Sequence, residues 1–113
     1  MADHIKINEI DGTWVIRAGG AIIGETKNAL ELREGTYGPV IYFPRCDIAM
    51  ALLEKSSRTS HCPWKGDAQY FSIQTKSVLI EDAAWSYGTP LDDVSAIKGH
   101  LAFFNEKVTL EQI

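Results

Sequence analysis

The residue types best suited to chemistry are concentrated in two stretches near the middle of the chain. Pro44-Arg45-Cys46-Asp47 supplies a cation, a thiol and a carboxylate, and Thr59-Ser60-His61-Cys62-Pro63-Trp64-Lys65-Gly66-Asp67-Ala68-Gln69-Tyr70 follows. Arg45 could bind an anionic group through its planar guanidinium, and Lys65 could do so as a point charge. We therefore expect these two cations to hold one anionic ligand group, with the Thr59 hydroxyl as a further donor. The alternative is that Arg45 pairs with a neighbouring aspartate while Lys65 is solvated.

Cys62 is the candidate catalytic nucleophile, because a thiolate beside a cation such as Lys65 is easier to form than a free thiol, whose pKa is about 8.5. His61 is adjacent in sequence, but neighbouring side chains of a strand point to opposite faces. Simple burial is the commoner fate of a cysteine, and we favour it. Cys46, Cys62 and His61 could hold zinc only if the fold assembled them, and the chain has no Cys-x-x-Cys pair, so we expect no metal and no cofactor.

Aromatic residues accompany these groups. Trp64, Tyr70, Trp85 and Tyr87 could form a box for a planar or cationic ligand, since ring faces attract both. Trp85 and Tyr87 are two positions apart on a predicted strand, so their side chains point to the same face. That face could be the wall of a binding pocket or a layer of the core, and the sequence leaves both open.

Composition limits the functional classes. The chain has 113 residues, a formal charge of −4 and a pI near 5.3, which argues for one domain over residues 1–113 and against general affinity for nucleic acid. No apolar run approaches the roughly 20 residues that span a bilayer. The segment Met1-Ala2-Asp3-His4 lacks the features of a signal peptide, and two cysteines are too few for a disulfide framework. We therefore expect a cytoplasmic protein with no membrane partner.

Short strands must position these residues. Asp11-Gly12 predicts a hairpin between residues 5–10 and 13–17, and Gly19-Gly20 predicts a second tight turn. Residues 26–33 favour a strand without excluding a helix, and Thr36-Tyr37-Gly38-Pro39 predicts a turn. Further strands are predicted over residues 21–24, 40–43, 69–75, 77–80, 84–87, 101–104 and 107–110.

Two short helices complete the prediction. Asp47 can cap a helix over Ile48–Glu54, which is followed by a polar loop over Ser56–Pro63. A second helix over Val94–Gly99 would be capped by Asp92 or Asp93 and ended by Gly99. The predicted fold class is therefore mainly β with two short helices.

Several ordered segments together resemble the family catalogued as domain of unknown function 427, which is also labelled nucleotidyltransferase-like. The resemblance covers roughly residues 13 to 110 and implies β-tent-like sheets around a pocket in a bacterial-type domain. It brings no settled activity. The matching segments are Gly20-Ala21-Ile22-Ile23-Gly24, Tyr42-Phe43-Pro44-Arg45-Cys46-Asp47-Ile48, Thr59 with Cys62–Tyr70, Ala84-Trp85-Ser86-Tyr87 with Pro90, and Ala102-Phe103.

The nucleotidyltransferase label has no support in the motifs. The chain lacks a Gly-Ser followed by spaced aspartates, as two-metal phosphoryl chemistry requires. Lys65-Gly66 is in the wrong order for a phosphate-binding loop, and no Gly-Lys dipeptide occurs.

The leading functional hypothesis is a domain that binds a small molecule, anionic or nucleotide-like. The first alternative is an enzyme, either a transferase or a thiol-dependent catalyst that uses Cys62. The second alternative is a scaffold without a pocket, and self-association into a homo-oligomer is left open. The predicted ligand-binding residues are Arg45, Asp47, Thr59, Lys65, Tyr70, Trp85 and Tyr87.

Overall fold

Strands dominate the structure, a computed structural model that describes residues 4–113. The mainly-β prediction is confirmed, and within residues 4–113 helical backbone is limited to short 3₁₀ turns over Arg45–Asp47, Met50–Leu52 and Asp92–Ile97. Residues 1–3, which belong to the segment expected to lack a signal peptide, lie outside the described residues. The strands of the described residues are Ile5–Glu9 (β1), Trp14–Ala18 (β2), Ala21–Thr26 (β3), Leu30–Glu34 (β4), Val40–Tyr42 (β5), Leu53–Cys62 (β6), Gly66–Gln74 (β7), Leu79–Tyr87 (β8), Leu101–Phe103 (β9) and Thr109–Gln112 (β10).

The strands form three antiparallel sheets, in the orders β1-β4-β5, β10-β2-β3 and β6-β7-β8-β9. The four-stranded sheet carries an apolar cluster on each face, because successive side chains of a strand alternate between faces. Ala84, Leu101 and Phe103 pack in the cluster that also contains β2 and β3 residues. Tyr87 and Ala102 pack in the other cluster, together with residues of β1, β4 and β5. The four-stranded sheet therefore separates two different environments.

The glycine turns gave one correct and one wrong prediction. Gly19 and Gly20 have φ of 55° and 78° and join β2 to β3, as a type I′ hairpin requires. Gly12 also has positive φ, but β1 and β2 do not pair. β1 pairs with β4, and Ile5 is buried among side chains of that sheet, whereas Ile16 of β2 is buried in the other cluster. The predicted Asp11-Gly12 hairpin is therefore wrong, because burial of the two strands in separate clusters overrides the local turn signal.

The helix predicted over Ile48–Glu54 is also wrong. Asp47 ends a 3₁₀ turn, and its carboxylate accepts a hydrogen bond from Thr26 Oγ1 at 2.7 Å. Ile48 has extended φ and ψ of −109° and 138° and bridges to Gly24 of β3. After the 3₁₀ turn Met50–Leu52, the chain enters β6. Pairing with β3 and β7 therefore replaces a helix that was too short to be stable alone.

The remaining differences lie at β6 and near the C-terminus. The predicted polar loop over Ser56–Pro63 mostly belongs to β6, an edge strand whose outward positions are exposed, so its polar composition reflects solvent rather than a loop. The second helix is the 3₁₀ segment Asp92–Ile97, preceded by Leu91, so Asp92 and Asp93 lie in its first turn instead of capping it. Gly99 follows with φ of 71°, as expected for a stop. Among residues 4–113, no helix has the length and apolar character needed to cross a bilayer.

Candidate functional site

An aromatic cavity of about 400 Å³ lies between the four-stranded sheet and the sheet β1-β4-β5. Most of its lining consists of rings and aliphatic side chains, with one carboxylate and one ammonium group as the charged members. This composition is typical of ligand sites, in which a largely apolar surface surrounds a few polar groups. The lining residues are Leu32, Glu34, Tyr37, Gly38, Val40, Tyr42, Lys65, Tyr70, Trp85, Tyr87 and Phe104.

Strand register explains why the rings meet. Tyr70 of β7 is paired with Trp85 of β8, and paired residues of an antiparallel sheet project to the same face. Tyr87 is two residues beyond Trp85 and therefore faces the same way. Tyr42, at the end of β5, approaches from the opposite sheet, and Trp85 Nε1 donates a hydrogen bond to its hydroxyl at 3.3 Å. The two sheets thus form facing walls.

Ring contacts hold these walls in place. The rings of Trp85 and Phe104 have centroids 4.7 Å apart, and the Tyr70 ring lies nearly parallel to Phe104 at 6.2 Å. Tyr42 meets Trp85 edge-on at 6.5 Å. The Arg58 guanidinium lies 4.2 Å from the centroid of the Tyr70 ring and covers it from the side of the edge strand. Because offset and edge-on pairs are the favoured aromatic geometries, the cavity is preorganised by its own rings.

The charged groups of the cavity neutralise each other. Lys65 Nζ donates to Glu34 Oε1 at 2.5 Å, and the two side chains are only 11% and 21% exposed. His4 Nε2 lies 3.5 Å from the other carboxylate oxygen, and its ring meets the Trp64 ring edge-on. The cavity therefore contains an internal ion pair and no excess charge among its described lining residues.

Burial also raises the pKa of two phenols of the cavity. Burial raises the pKa of Tyr42 to about 12, and the nearby Glu34 carboxylate adds to this, while the hydrogen bond from Trp85 acts in the opposite direction. Burial raises the pKa of Tyr87 as well, with smaller contributions from surrounding groups such as Tyr42 and Cys62. Phenols are protonated at physiological pH in any case, and the raised pKa values keep both hydroxyls able to donate hydrogen bonds at more alkaline pH as well.

Four of the predicted ligand-binding residues, Lys65, Tyr70, Trp85 and Tyr87, line this cavity together. Arg45 lies on the opposite face of the four-stranded sheet. Its Nη2 donates to Ser86 Oγ at 3.3 Å, its Nε donates to the Gly99 carbonyl at 3.2 Å, and Ser86 points away from the face that carries Trp85 and Tyr87. Arg45 and Lys65 therefore do not converge on one group.

Asp47 and Thr59 also lie away from the cavity lining. The Asp47 carboxylate is engaged by Thr26, and Thr59 is exposed on the edge strand, paired with Gln69. Gln69 and Tyr70 are consecutive in β7, so the Thr59–Gln69 pair faces away from the rings. The structure thus separates the seven predicted residues into one cluster of four and three dispersed positions.

Cys62 is half-buried at the end of β6 and packs against the apolar cluster that borders the cavity. His61 is on the exposed side of the strand, where its Nδ1 lies 2.7 Å from Asp67 Oδ1. Cys46 is exposed in the 3₁₀ turn Arg45–Asp47. Among residues 4–113, no three His, Cys, Asp or Glu side chains are grouped as metal ligands, and His61 is not oriented to activate the Cys62 thiol.

Sequence reasoning missed several lining residues, above all Glu34, Tyr42 and Phe104. Glu34 continues the alternation of Leu30 and Leu32, and this pattern predicts that its side chain points inward. Phe104 directly follows the buried strand β9, and nothing in the sequence besides its aromatic ring indicates that it lines the cavity. Tyr42 lies in the predicted strand 40–43, and only the paired sheets reveal that its hydroxyl contacts Trp85.

Comparison with protein-family models identifies the family of the chain. A family model described as "Domain of unknown function (DUF427)" matches residues 6–112, nearly the whole chain. The matched range includes every described residue that lines the cavity. None of the curated proteins compared with the chain matches it.

Proposed function

The chain belongs to the DUF427 family, and we propose that it is a small-molecule-binding domain that takes a planar ring compound into the aromatic cavity. The observation that carries the proposal is the meeting of Tyr70, Trp85, Tyr87 and Phe104 around about 400 Å³ of open space. Drug-sized and cofactor ligands occupy cavities of about 300–1,000 Å³. A flat ligand could stack on these rings at little cost, because the rings already hold one another in place.

The charged residues around the cavity limit the class of ligand that it can bind. An anionic group was expected to be held by Arg45 and Lys65 together, but only Lys65 borders the cavity, and Glu34 is its partner. The site therefore supports recognition of a ring, including a nucleobase-like ring, better than recognition of a highly charged phosphate. The two free cysteines fit a reducing compartment, and we propose a cytoplasmic location on that basis.

A fragment screen tests the proposal directly. Ring compounds are added to the ¹⁵N-labelled protein, and the indole N–H resonance of Trp85, assigned through Trp85→Phe, reports occupancy of the cavity. Phe104→Leu should weaken the binding of any hit about twofold to tenfold, since stacking on one ring contributes about 0.5–1.5 kcal/mol beyond the burial of its area.

Phe103→Leu is the matched control, because the same substitution at the neighbouring position affects the other face of the sheet. Phe103 is buried against Phe43, with ring centroids 6.2 Å apart. This variant should lose thermal stability and keep its ligand affinity. If ring compounds leave the Trp85 resonance unmoved, or if Phe103→Leu weakens binding as much as Phe104→Leu, the cavity is not the binding site.

A further inference from the structure

Among the buried tyrosines that line the cavity, Tyr87 is the one whose hydroxyl has no hydrogen-bond partner in the described part of the chain. The Tyr70 hydroxyl is hydrogen-bonded to Ser60 Oγ at 2.9 Å, and the Tyr42 hydroxyl accepts from Trp85. Among residues 4–113, no hydrogen bond reaches the Tyr87 hydroxyl, although the residue is only 6% exposed.

The Tyr87 hydroxyl must be partly accessible, because no protein group within residues 4–113 forms a hydrogen bond with it. Among the described residues, every fully buried polar side-chain atom has a hydrogen-bond partner. The unpartnered Tyr87 hydroxyl must therefore keep some accessible surface, and Tyr87 lines the aromatic cavity. Burying such a group under an apolar ligand would cost about 1–3 kcal/mol, so a ligand that fills the cavity must bond to it.

The ion pair decides which kind of group the ligand can present. Lys65 and Glu34 each have an opposite charge within hydrogen-bond distance, so neither is free to balance a charged ligand. A carboxylate or an ammonium group brought into this cavity would lose its hydration without gaining an unpaired counter-charge from the described lining residues. An uncharged polar group avoids that penalty and can still accept a hydrogen bond.

We infer that Tyr87 is the specificity-determining residue of the cavity, and that its hydroxyl donates a hydrogen bond to an uncharged acceptor, such as a carbonyl oxygen, on the edge of a planar ligand. This inference rests on the proposed function and names the class of ligand for that site. The phenol is a donor at neutral pH, and burial raises the pKa of Tyr87, which extends this donor range to more alkaline pH. Among ring compounds of similar size, neutral ones with a carbonyl should therefore bind best.

Four probes with the same ring separate the possibilities: benzamide, benzoate, benzylammonium and toluene. Each is titrated against the full chain and against Tyr87→Phe, with the Trp85 indole resonance as the readout. Benzamide should bind more tightly than the other three, and Tyr87→Phe should weaken benzamide about threefold to tenfold, as expected for one neutral hydrogen bond. The affinity for toluene should not fall. Lys76→Met, an exposed position outside the cavity lining, is the surface control and should leave all four affinities unchanged.

The outcomes distinguish a failure of the inference about Tyr87 from a failure of the proposed function. If all four probes bind equally, or if Tyr87→Phe weakens benzamide and toluene alike, the cavity binds rings but Tyr87 does not select among them. If benzoate binds most tightly, Lys65 is the anchor and the inference is overturned. If none of the probes and none of the fragments shifts the Trp85 resonance, the proposed function fails together with the inference.

Discussion

Removing the ammonium group of Lys65 should destabilise the protein because it takes the ammonium partner from the Glu34 carboxylate beside the cavity. A hydrogen bond to a charged group contributes about 1.5–3 kcal/mol, and breaking a fully buried ion pair costs about 3–5 kcal/mol. Glu34 keeps about a fifth of its side chain exposed, so solvent recovers part of the loss. For Lys65→Met we therefore expect a decrease of about 2 kcal/mol in the free energy of unfolding.

Urea denaturation at neutral pH measures this loss, and a double-mutant cycle assigns it to the pair. Lys65→Met and Glu34→Leu are measured singly and together, and the coupling energy should be about 1–2 kcal/mol. In a domain of this size the single loss corresponds to roughly 8 °C in Tm. Arg33→Met is the exposed control: Arg33 pairs with Glu31 at 2.8 Å with 57% of its side chain exposed, and its loss should cost less than about 0.5 kcal/mol.

A coupling energy below about 0.5 kcal/mol would refute the view that the cavity contains a partly buried ion pair. A loss for Arg33→Met as large as that for Lys65→Met would refute it as well.

The Lys65→Met variant should also prefer a different class of ligand. Without Lys65, the Glu34 carboxylate lacks its ammonium partner among the aromatic rings, and Lys65→Met should therefore bind benzylammonium more tightly than the parent does.

Three further predictions concern other parts of the structure. Because the pKa of Tyr42 is raised to about 12 from 10 in the unfolded chain, its contribution is complete below pH 10 and is lost above it. Tyr42 alone should account for about 2–3 kcal/mol of the fall in the free energy of unfolding above pH 10, and Tyr42→Phe should lack this share; an equal slope in the two proteins would contradict this. Thr26→Val removes the donor to Asp47 at a position only 2% exposed and should cost about 1–3 kcal/mol in urea denaturation, whereas Thr26→Ser should restore most of it. Brief iodoacetamide treatment should label exposed Cys46 before half-buried Cys62, as mass spectrometry can show, and the opposite order would contradict their positions.

Short sequence patterns correctly predicted those parts of the fold that depend only on residues close together in the sequence. Gly19-Gly20 must adopt positive φ, and the hairpin followed. Asp11-Gly12 carries an equally strong turn signal, but the partners of β1 and β2 are set by distant strands, and no local pattern shows which apolar cluster each strand will join. Likewise, the helical composition of Ile48–Glu54 was overridden by strand pairing, since a two-turn helix has little stability to oppose it.

The candidate site was predictable to the extent that it depends on alternation within a strand. Trp85 and Tyr87 were expected to share a face, and they do. The partner of Lys65 was not predictable, because Glu34 is 31 positions earlier and meets it only when β4 faces the β6–β7 turn. Arg45 was grouped with Lys65 because both are cations that could hold an anionic group, and the charge of a residue carries no information about the face of the sheet on which it lies.

The alternation that assembles the ring cluster also explains why Arg45 cannot contribute to it. Ser86, which accepts the hydrogen bond from Arg45, lies between Trp85 and Tyr87 in β8, so its side chain projects from the opposite face. A molecule stacked on Trp85 is therefore separated from the Arg45 guanidinium by the thickness of the sheet. A loss of ring binding in Arg45→Ala, without a loss of stability, would mean that the ligand occupies the other face and that the aromatic cavity is only a gap in the packing.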